Sequence, residues 1–140
     1  MKELQNLLNI MDDLRSKCPW DKKQTIQSLK NLTIEEVYEL TDAIESENFE
    51  NLKEELGDLL LHVVFYSKIA SEKKKFTFND VVKDLCDKLI YRHPHIYGDL
   101  VINSEEEVKL NWENLKSNKT KKSILSGIPK KLPTILKAQR

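Results

Sequence analysis

The sequence has few of the residues that make turns and few that make cross-links. Its 140 residues include only 3 glycines and 4 prolines, too few for the many turns of a β-sandwich. Its 2 cysteines, Cys18 and Cys86, form no spacing pattern. We therefore expect free thiols in a reducing, cytoplasmic setting rather than a disulfide framework.

The chain also lacks net charge and a long apolar run. Lys plus Arg and Asp plus Glu each number 23, so the overall charge gives no reason to expect a nucleic acid or an anionic membrane as a partner. The longest apolar run, from Leu59 to Tyr66, is interrupted by His62 and is far too short to cross a bilayer. Charged residues still make up 33% of the chain, which is typical of long solvated helices.

Apolar residues repeat at helical spacing through most of the chain. The pattern predicts helices over about residues 2–16, 33–47, 49–71 and 79–92, and a fifth helix that starts after Ser104. Residues 26–29 are expected to form only a short turn. We predict one domain over residues 1–140, with a helical core at about 2–92 and a C-terminal helix and extended basic arm at about 104–140.

Polar residues next to these helices predict where two of them begin. Thr33 followed by Glu36 fits a capping box, which predicts that the second main helix starts there. Asp21 follows the break at Pro19 and is predicted to cap whatever comes next. The second half of the third helix is apolar nearly all round, so it must be buried on every side, and we infer an oligomer formed through helices. His62, inside that segment, is interpreted as a hydrogen-bonded core histidine rather than a metal ligand.

Two acidic pairs lie on consecutive predicted helices. Glu36 and Glu39 are three residues apart, as are Glu55 and Asp58, and residues at that spacing share a helix face. Two such helices folded against each other would direct four carboxylates toward one point, and carboxylate oxygens are the ligands that Mg²⁺ prefers. The pattern favours a divalent-metal site, with a solvated acidic face as the alternative. A di-iron bundle would need Glu-x-x-His pairs, and none occurs.

Other residues near these pairs extend the hypothesis. Gly57 costs about 1 kcal/mol relative to alanine inside a helix, which suggests close approach of a neighbouring helix or ligand. Lys88 and Arg92 are four residues apart, and Lys53 precedes the second acidic pair. Cations beside a metal suit a polyphosphate, although spacing alone slightly favours surface salt bridges. Trp112 could stack on a base, but core packing is the commoner use of a tryptophan.

The acidic pattern and several other blocks resemble the MazG-type nucleoside triphosphate pyrophosphohydrolases. In family order, the blocks are Cys18-Pro19-Trp20-Asp21, Glu35-Glu36-x-x-Glu39, Glu54-Glu55-Leu56-Gly57-Asp58, Arg92-His93-Pro94-His95, Asn111-Trp112-Glu113 and Gly127-Ile128-Pro129. They extend over roughly residues 4–137. The best-known members carry two tandem copies of this domain, and the sequence contains one.

The resemblance implies an all-α fold with a four-helix core bundle, assembled as a homodimer or a dimer of dimers. It implies Mg²⁺-dependent hydrolysis of nucleoside triphosphates (NTP or dNTP) to the monophosphate and pyrophosphate, with Mn²⁺ as a substitute ion, which cleans nucleotide pools. By position, it implies Glu36, Glu39, Glu55 and Asp58 as metal ligands, Glu35 as the residue that orients or deprotonates water, and Lys53, Lys88, Arg92 and Trp112 as substrate contacts.

Two other functions remain open at this point. The basic segment from Lys119 to Arg140 suggests a non-catalytic helical module that binds nucleotides or regulates a partner. A narrower dUTP or dCTP pyrophosphatase would use the same acidic motif.

Overall fold

Every regular element in the described part of the chain is an α-helix. The computed structural model describes residues 1–120. Its elements are α1 (Lys2–Lys17), α2 (Pro19–Lys23), α3 (Ile26–Glu45), α4 (Phe49–Glu72), α5 (Phe78–Arg92), α6 (Pro94–Tyr97) and α7 (Glu105–Thr120). The all-α fold class is therefore confirmed. The predicted basic arm is helical as far as Thr120 and otherwise lies outside the described residues, as does the Gly127-Ile128-Pro129 block.

The chain divides into two compact units, Met1–Lys83 and Asp84–Arg140. The first unit contains α1 to α4 and the beginning of α5. The second contains the rest of α5, α6 and α7.

The second main helix begins at Ile26, earlier than predicted. Thr25 and Ser28 form a reciprocal capping box there: the Ser28 amide donates to Thr25 Oγ1 at 3.0 Å, and the Thr25 amide donates to Ser28 Oγ at 2.8 Å. The capping box predicted at Thr33 and Glu36 is wrong, because Thr33 lies inside α3 and its hydroxyl has other partners. A Thr-x-x-Ser pair can satisfy the free amides of a helix start as Thr-x-x-Glu does.

Two shorter predictions also need correction. Asp21 lies inside α2, so it caps nothing. Pro19 starts that helix at a position where its missing N–H costs no hydrogen bond. Between the helix predicted over 79–92 and the one predicted after Ser104, the structure adds the four-residue helix α6, which also begins with a proline.

The core of the first unit lies between α1, α3 and α4. Its buried residues are Met11, Leu29, Val64, Phe65 and Ile69. Arg15 stabilises one edge of this unit. Its Nε lies 2.9 Å from Oε2 of Glu72, and its Nη1 donates to the carbonyl oxygens of Asp21, Lys22 and Gln24 at 2.6 to 3.0 Å. One guanidinium therefore connects α1 to the end of α4 and to the end of α2.

A tight turn reverses the chain between α3 and α4 and makes the two helices antiparallel. Glu47 adopts a left-handed conformation with φ 54°. Asn48 caps α4 through Oδ1, which accepts from the amides of Glu50 at 3.1 Å and Asn51 at 3.2 Å. This local chemistry fixes where α4 starts, and so which residues of α4 face which residues of α3.

The second half of α4 is not buried on every side within the single chain. His62, Val64 and Phe65 are buried, as predicted for the core face. Val63, however, is 39% exposed and Leu60 is 41% exposed. Together with Leu56 they form an apolar stripe along α4. The predicted oligomer and four-helix core remain predictions.

Candidate functional site

The structure brings the four predicted metal ligands together. Glu36 and Glu39 lie on α3, and Glu55 and Asp58 lie on α4. One carboxylate oxygen from each can be chosen so that all of these atoms lie within 4.8 Å of one another. This follows from the antiparallel pairing, since moving toward the N-terminus of α3 matches moving toward the C-terminus of α4. The second helix therefore presents its acids at the level of those on the first.

The four carboxylates disturb one another because they lie so close. Partial burial, followed by the charges of Glu39 and Asp58, raises the pKa of Glu36 from 4.5 to about 7. Partial burial and then the charge of Glu39 raise the pKa of Glu55 as well. Both shifts mean that the ionised forms lack sufficient compensation from protein groups.

Two oxygens of this cluster have no hydrogen-bond partner in the protein. Glu36 Oε2 and Glu55 Oε2 are buried and unpaired. A buried polar atom without a partner is costly, and a hard divalent cation would compensate both atoms and the excess negative charge. An all-oxygen donor set from carboxylates fits Mg²⁺ or Mn²⁺ rather than a soft or imidazole-binding metal. The residues present therefore fit a divalent-cation site.

Three other residues of this region lie outside that group. Glu35 is exposed on α3, and Glu54 is exposed on α4. Lys53, predicted to contact substrate, has a side chain that is 75% exposed, and its Nζ lies 3.0 Å from Oε2 of Glu50. At Gly57 an added Cβ would meet no atom within 4 Å. The expected close approach of a neighbouring helix at this glycine is therefore not found among the described residues.

The remaining predicted substrate residues belong to the second unit. Lys88 is exposed on α5, one turn before Arg92. The guanidinium carbon of Arg92 lies 5.6 Å from the centroid of the Trp112 ring, within the range of a cation–π interaction. The ring of His93 meets Trp112 edge-on, with 4.8 Å between centroids. These contacts make Trp112 a packing platform for Arg92.

Sequence reasoning gave no role to two further residues of the second unit. His95 Nδ1 and Asn111 Nδ2 are buried without a hydrogen-bond partner, as is Arg92 Nε. Both residues stand in blocks that carry the family resemblance, and that position was the available signal. Spacing alone could not find them, because the lack of a partner is visible only in the folded chain.

Comparison with known proteins agrees with the site. The profile of the MazG nucleotide pyrophosphohydrolase domain matches residues 24–97, which include all four clustered acids. The chain is 43% identical over 147 residues to a nucleoside triphosphate pyrophosphohydrolase of Escherichia coli K12, an alignment that covers 100% of this chain and 56% of that protein.

Two proteins of Thermotoga maritima are also similar. One, named nucleoside triphosphate pyrophosphohydrolase/pyrophosphatase MazG, is 45% identical over 141 residues, covering 97% of this chain and 54% of that protein. The other is a MazG-related protein of known crystal structure, with a TM-score of 0.69 and 26% identity over 81% of this chain and 98% of its own.

The chain spans about half the length of the curated relatives it matches. Among residues 1–120, no helix combines the length and the apolar character that crossing a membrane requires. The matched domain contains the four clustered acids, and the helical fold is similar to that of the solved MazG-related protein. The chain belongs to the MazG nucleotide pyrophosphohydrolase family.

Proposed function

We propose that this chain hydrolyses nucleoside triphosphates to the monophosphate and pyrophosphate, using a divalent cation held by Glu36, Glu39, Glu55 and Asp58. One observation carries the proposal: four carboxylate oxygens lie within 4.8 Å of one another on two facing helices. The unpaired buried oxygens of Glu36 and Glu55 support it further. The names of the Escherichia coli and Thermotoga maritima relatives describe this reaction.

Mg²⁺ is the proposed ion, with Mn²⁺ as its substitute. When bound, such an ion neutralises phosphate oxygens and lowers the pKa of water. The four carboxylates of the chain hold the ion. Because they repel one another without it, binding of a cation relieves that repulsion. To Glu35, which is exposed on α3 and precedes Glu36 in the sequence, we assign the role of accepting the proton of the water that attacks the α-phosphorus. The bond between that phosphorus and the bridging oxygen breaks, and pyrophosphate leaves.

The resemblance also implies substrate contacts in the second unit. On that ground we propose Lys88 and Arg92 as cations that bind phosphate oxygens. The guanidinium carbon of Arg92 lies 5.6 Å from the centroid of the Trp112 ring, so we assign Trp112 a substrate-side role through that contact. Lys53 is proposed to exchange its exposed partner Glu50 for substrate. An exposed pair of this kind contributes little stability, so little is lost in the exchange.

We also propose that the active form is a homodimer, as the resemblance implies. The exposed stripe of Leu56, Leu60 and Val63 on α4 supports an interface there. Exposed apolar side chains that form a continuous patch along one helix face are typical of a protein–protein contact surface.

A substrate panel tests the function. The protein is incubated with each common NTP and dNTP and with Mg²⁺, and both pyrophosphate and monophosphate are measured. We expect Glu39→Ala and Asp58→Ala to abolish release, while Glu54→Ala, which alters an exposed acid on the same helix as Asp58, retains it.

Folded protein that releases no pyrophosphate from any nucleotide contradicts the proposal. Nucleotide-induced thermal stabilisation without turnover would point instead to a binding module. Release confined to dUTP or dCTP would identify the narrower enzyme.

A further inference from the structure

A hydrogen-bonded cluster joins α3 to α4 beside the carboxylates. Thr33 Oγ1 lies 2.6 Å from Nδ1 of His62 and within hydrogen-bonding distance of the Tyr66 hydroxyl. The same oxygen lies 3.1 Å from the carbonyl oxygen of Leu29. His62 is only 9% exposed, and Thr33 and Tyr66 are half-buried. The proposed chemistry uses none of these side chains.

Thr33 and His62 each lie one helical turn from the acids of their own helix, and Tyr66 lies one turn further along α4. Thr33 comes three residues before Glu36, and His62 comes four residues after Asp58, and residues so spaced share a helix face. Both residues lie on the same side of the acids along the helix axes, because α3 and α4 are antiparallel. A step toward the N-terminus of α3 therefore matches a step toward the C-terminus of α4. The distance along the helix axis is about 5 Å, one turn.

The hydroxyl of Thr33 can satisfy all of its neighbours at once. A threonine hydroxyl has one proton to donate and two lone pairs that accept. If it donates to the carbonyl oxygen of Leu29, it can accept both from the Nδ1–H of His62 and from the hydroxyl of Tyr66. If it donates instead to Nδ1 of His62, it still accepts from Tyr66. Valine has the same shape and can make none of these bonds.

Such a cluster specifies the position of one helix along the other, which apolar packing does not. Hydrophobic contacts are non-directional, so leucines and valines tolerate small slides of one helix along another. Hydrogen bonds weaken steeply when their angle or length changes. Sliding α4 by one residue would move its acids by about 1.5 Å relative to α3, far more than the ligand geometry of Mg²⁺ tolerates. The clustered carboxylates also repel one another and so push the two helices apart at this level.

We propose that Thr33 is a positioning residue of the carboxylate site, which sets the register of α3 and α4 by holding His62 and Tyr66. This inference rests on the proposed function, since it assumes that Glu36 and Asp58 act together on one ion. It predicts that the loss of a single hydroxyl, one turn from the acids, weakens cation binding although every carboxylate is retained.

Calorimetric titration with Mn²⁺ tests the proposal on the intact chain, at a temperature well below the melting point. We expect Thr33→Val to weaken Mn²⁺ binding by about tenfold or more, the usual effect of removing a partner that orients metal ligands. Thr33→Ser, which restores the hydroxyl, should bind within about twofold of the unchanged protein. The matched control is Thr41→Val. Thr41 is also on α3 and donates to the carbonyl oxygen four residues earlier at 2.9 Å, but it is exposed.

The outcomes separate this inference from the proposed function. A purely structural Thr33 would lower the melting temperature in Thr33→Val and leave the Mn²⁺ affinity of the folded protein unchanged, which overturns the inference. Equal weakening in Thr41→Val also overturns it, as does an absence of Mn²⁺ binding by the unchanged protein. If the unchanged protein binds Mn²⁺ but releases no pyrophosphate, hydrolysis fails as a function while the titrations still decide the role of Thr33.

A second variant covers the case in which Thr33→Val does not fold. Tyr66→Phe removes one oxygen from the cluster and keeps the ring. We expect it to weaken Mn²⁺ binding by a smaller factor, about threefold, because Thr33 and His62 remain bonded. Unchanged Mn²⁺ affinity in folded Tyr66→Phe would overturn the inference in that case.

Discussion

Glu36 and Glu55 lie on different helices, and each buries one carboxylate oxygen that has no hydrogen-bond partner. Both carboxyl groups have raised pKa values, chiefly because of burial and then because of neighbouring acids. The metal-free protein therefore holds negative charge that it does not compensate.

Replacing Glu36 with glutamine should stabilise the metal-free protein at high pH. A group whose folded-state pKa is raised, here to about 7, stabilises fully below its unfolded pKa, and this contribution is lost as the pH rises through its folded pKa. In EDTA, Glu36→Gln should melt above the unchanged protein, by a small margin at pH 5 and a larger one at pH 8. The gain should be on the order of 1 kcal/mol at a partly exposed site, or roughly 3 °C for a chain of this size.

The comparison of the two proteins removes the contribution of titrating groups that do not interact with Glu36. Burial lowers the pKa of His62, which stabilises the fold as the pH rises, in opposition to Glu36. This contribution is common to both proteins and cancels in the difference between them. Saturating Mg²⁺ should reverse the order of the melting temperatures at pH 8. A difference that does not grow between pH 5 and pH 8 would show that Glu36 titrates normally.

Cation binding should weaken as the pH falls below about 7. A carboxylate must lose its proton to bind an ion, and Glu36 begins to hold its proton near that pH. We expect the apparent Kd for Mn²⁺ to rise by up to about tenfold for each pH unit below 7, measured by calorimetry between pH 5.5 and 8. Glu54→Gln, which alters an exposed acid of the same helix, should leave the profile unchanged. An affinity independent of pH would contradict a site built on Glu36.

Arg15 should contribute strongly to stability although it lies outside the site. Its guanidinium binds Glu72 and three carbonyl oxygens, and its side chain is 13% exposed. We expect Arg15→Ala to lower the free energy of unfolding by about 2 kcal/mol, measured by chemical denaturation. Arg15→Lys should lose most of this too, because an ammonium cannot reproduce the planar fork.

The control for Arg15 is an exposed pair on the same helix. Lys17 lies 3.5 Å from Asp13, and both side chains are more than half exposed. Lys17→Ala should change the stability by less than about 0.5 kcal/mol. Equal losses in Lys17→Ala and Arg15→Ala would mean that the network around Arg15 contributes no more than a surface ion pair.

Leu60→Lys should separate the proposed dimer. Leu60 is 41% exposed in the single chain, so lysine costs the isolated chain little but places a charge in an interface formed along α4. By light scattering, the unchanged protein should have twice the 16.4 kDa mass of one chain, and Leu60→Lys should have the single mass. Ile10→Lys, at a 52% exposed position on α1, should remain dimeric. An unchanged mass in Leu60→Lys would place the interface elsewhere.

Much of the fold could be predicted because helix formation is largely local. The spacing of apolar residues placed the ends of α1 and α4 within about one residue of the observed ends. The start of α3 was wrong because two capping patterns, at Thr25 and at Thr33, compete in one stretch. Which threonine caps depends on which one another helix engages, and that is a tertiary contact.

By itself, the sequence determined that the chain is helical, that the acids fall in pairs on shared helix faces, and that their blocks match one family. These properties depend on spacing of three or four residues, which a helix converts directly into a common face. Only the tertiary structure decided that four oxygens meet within 4.8 Å, that two of them are buried without partners, and that Thr33 bonds to α4. These properties depend on the register and burial of two packed helices, and local patterns contain no information on either.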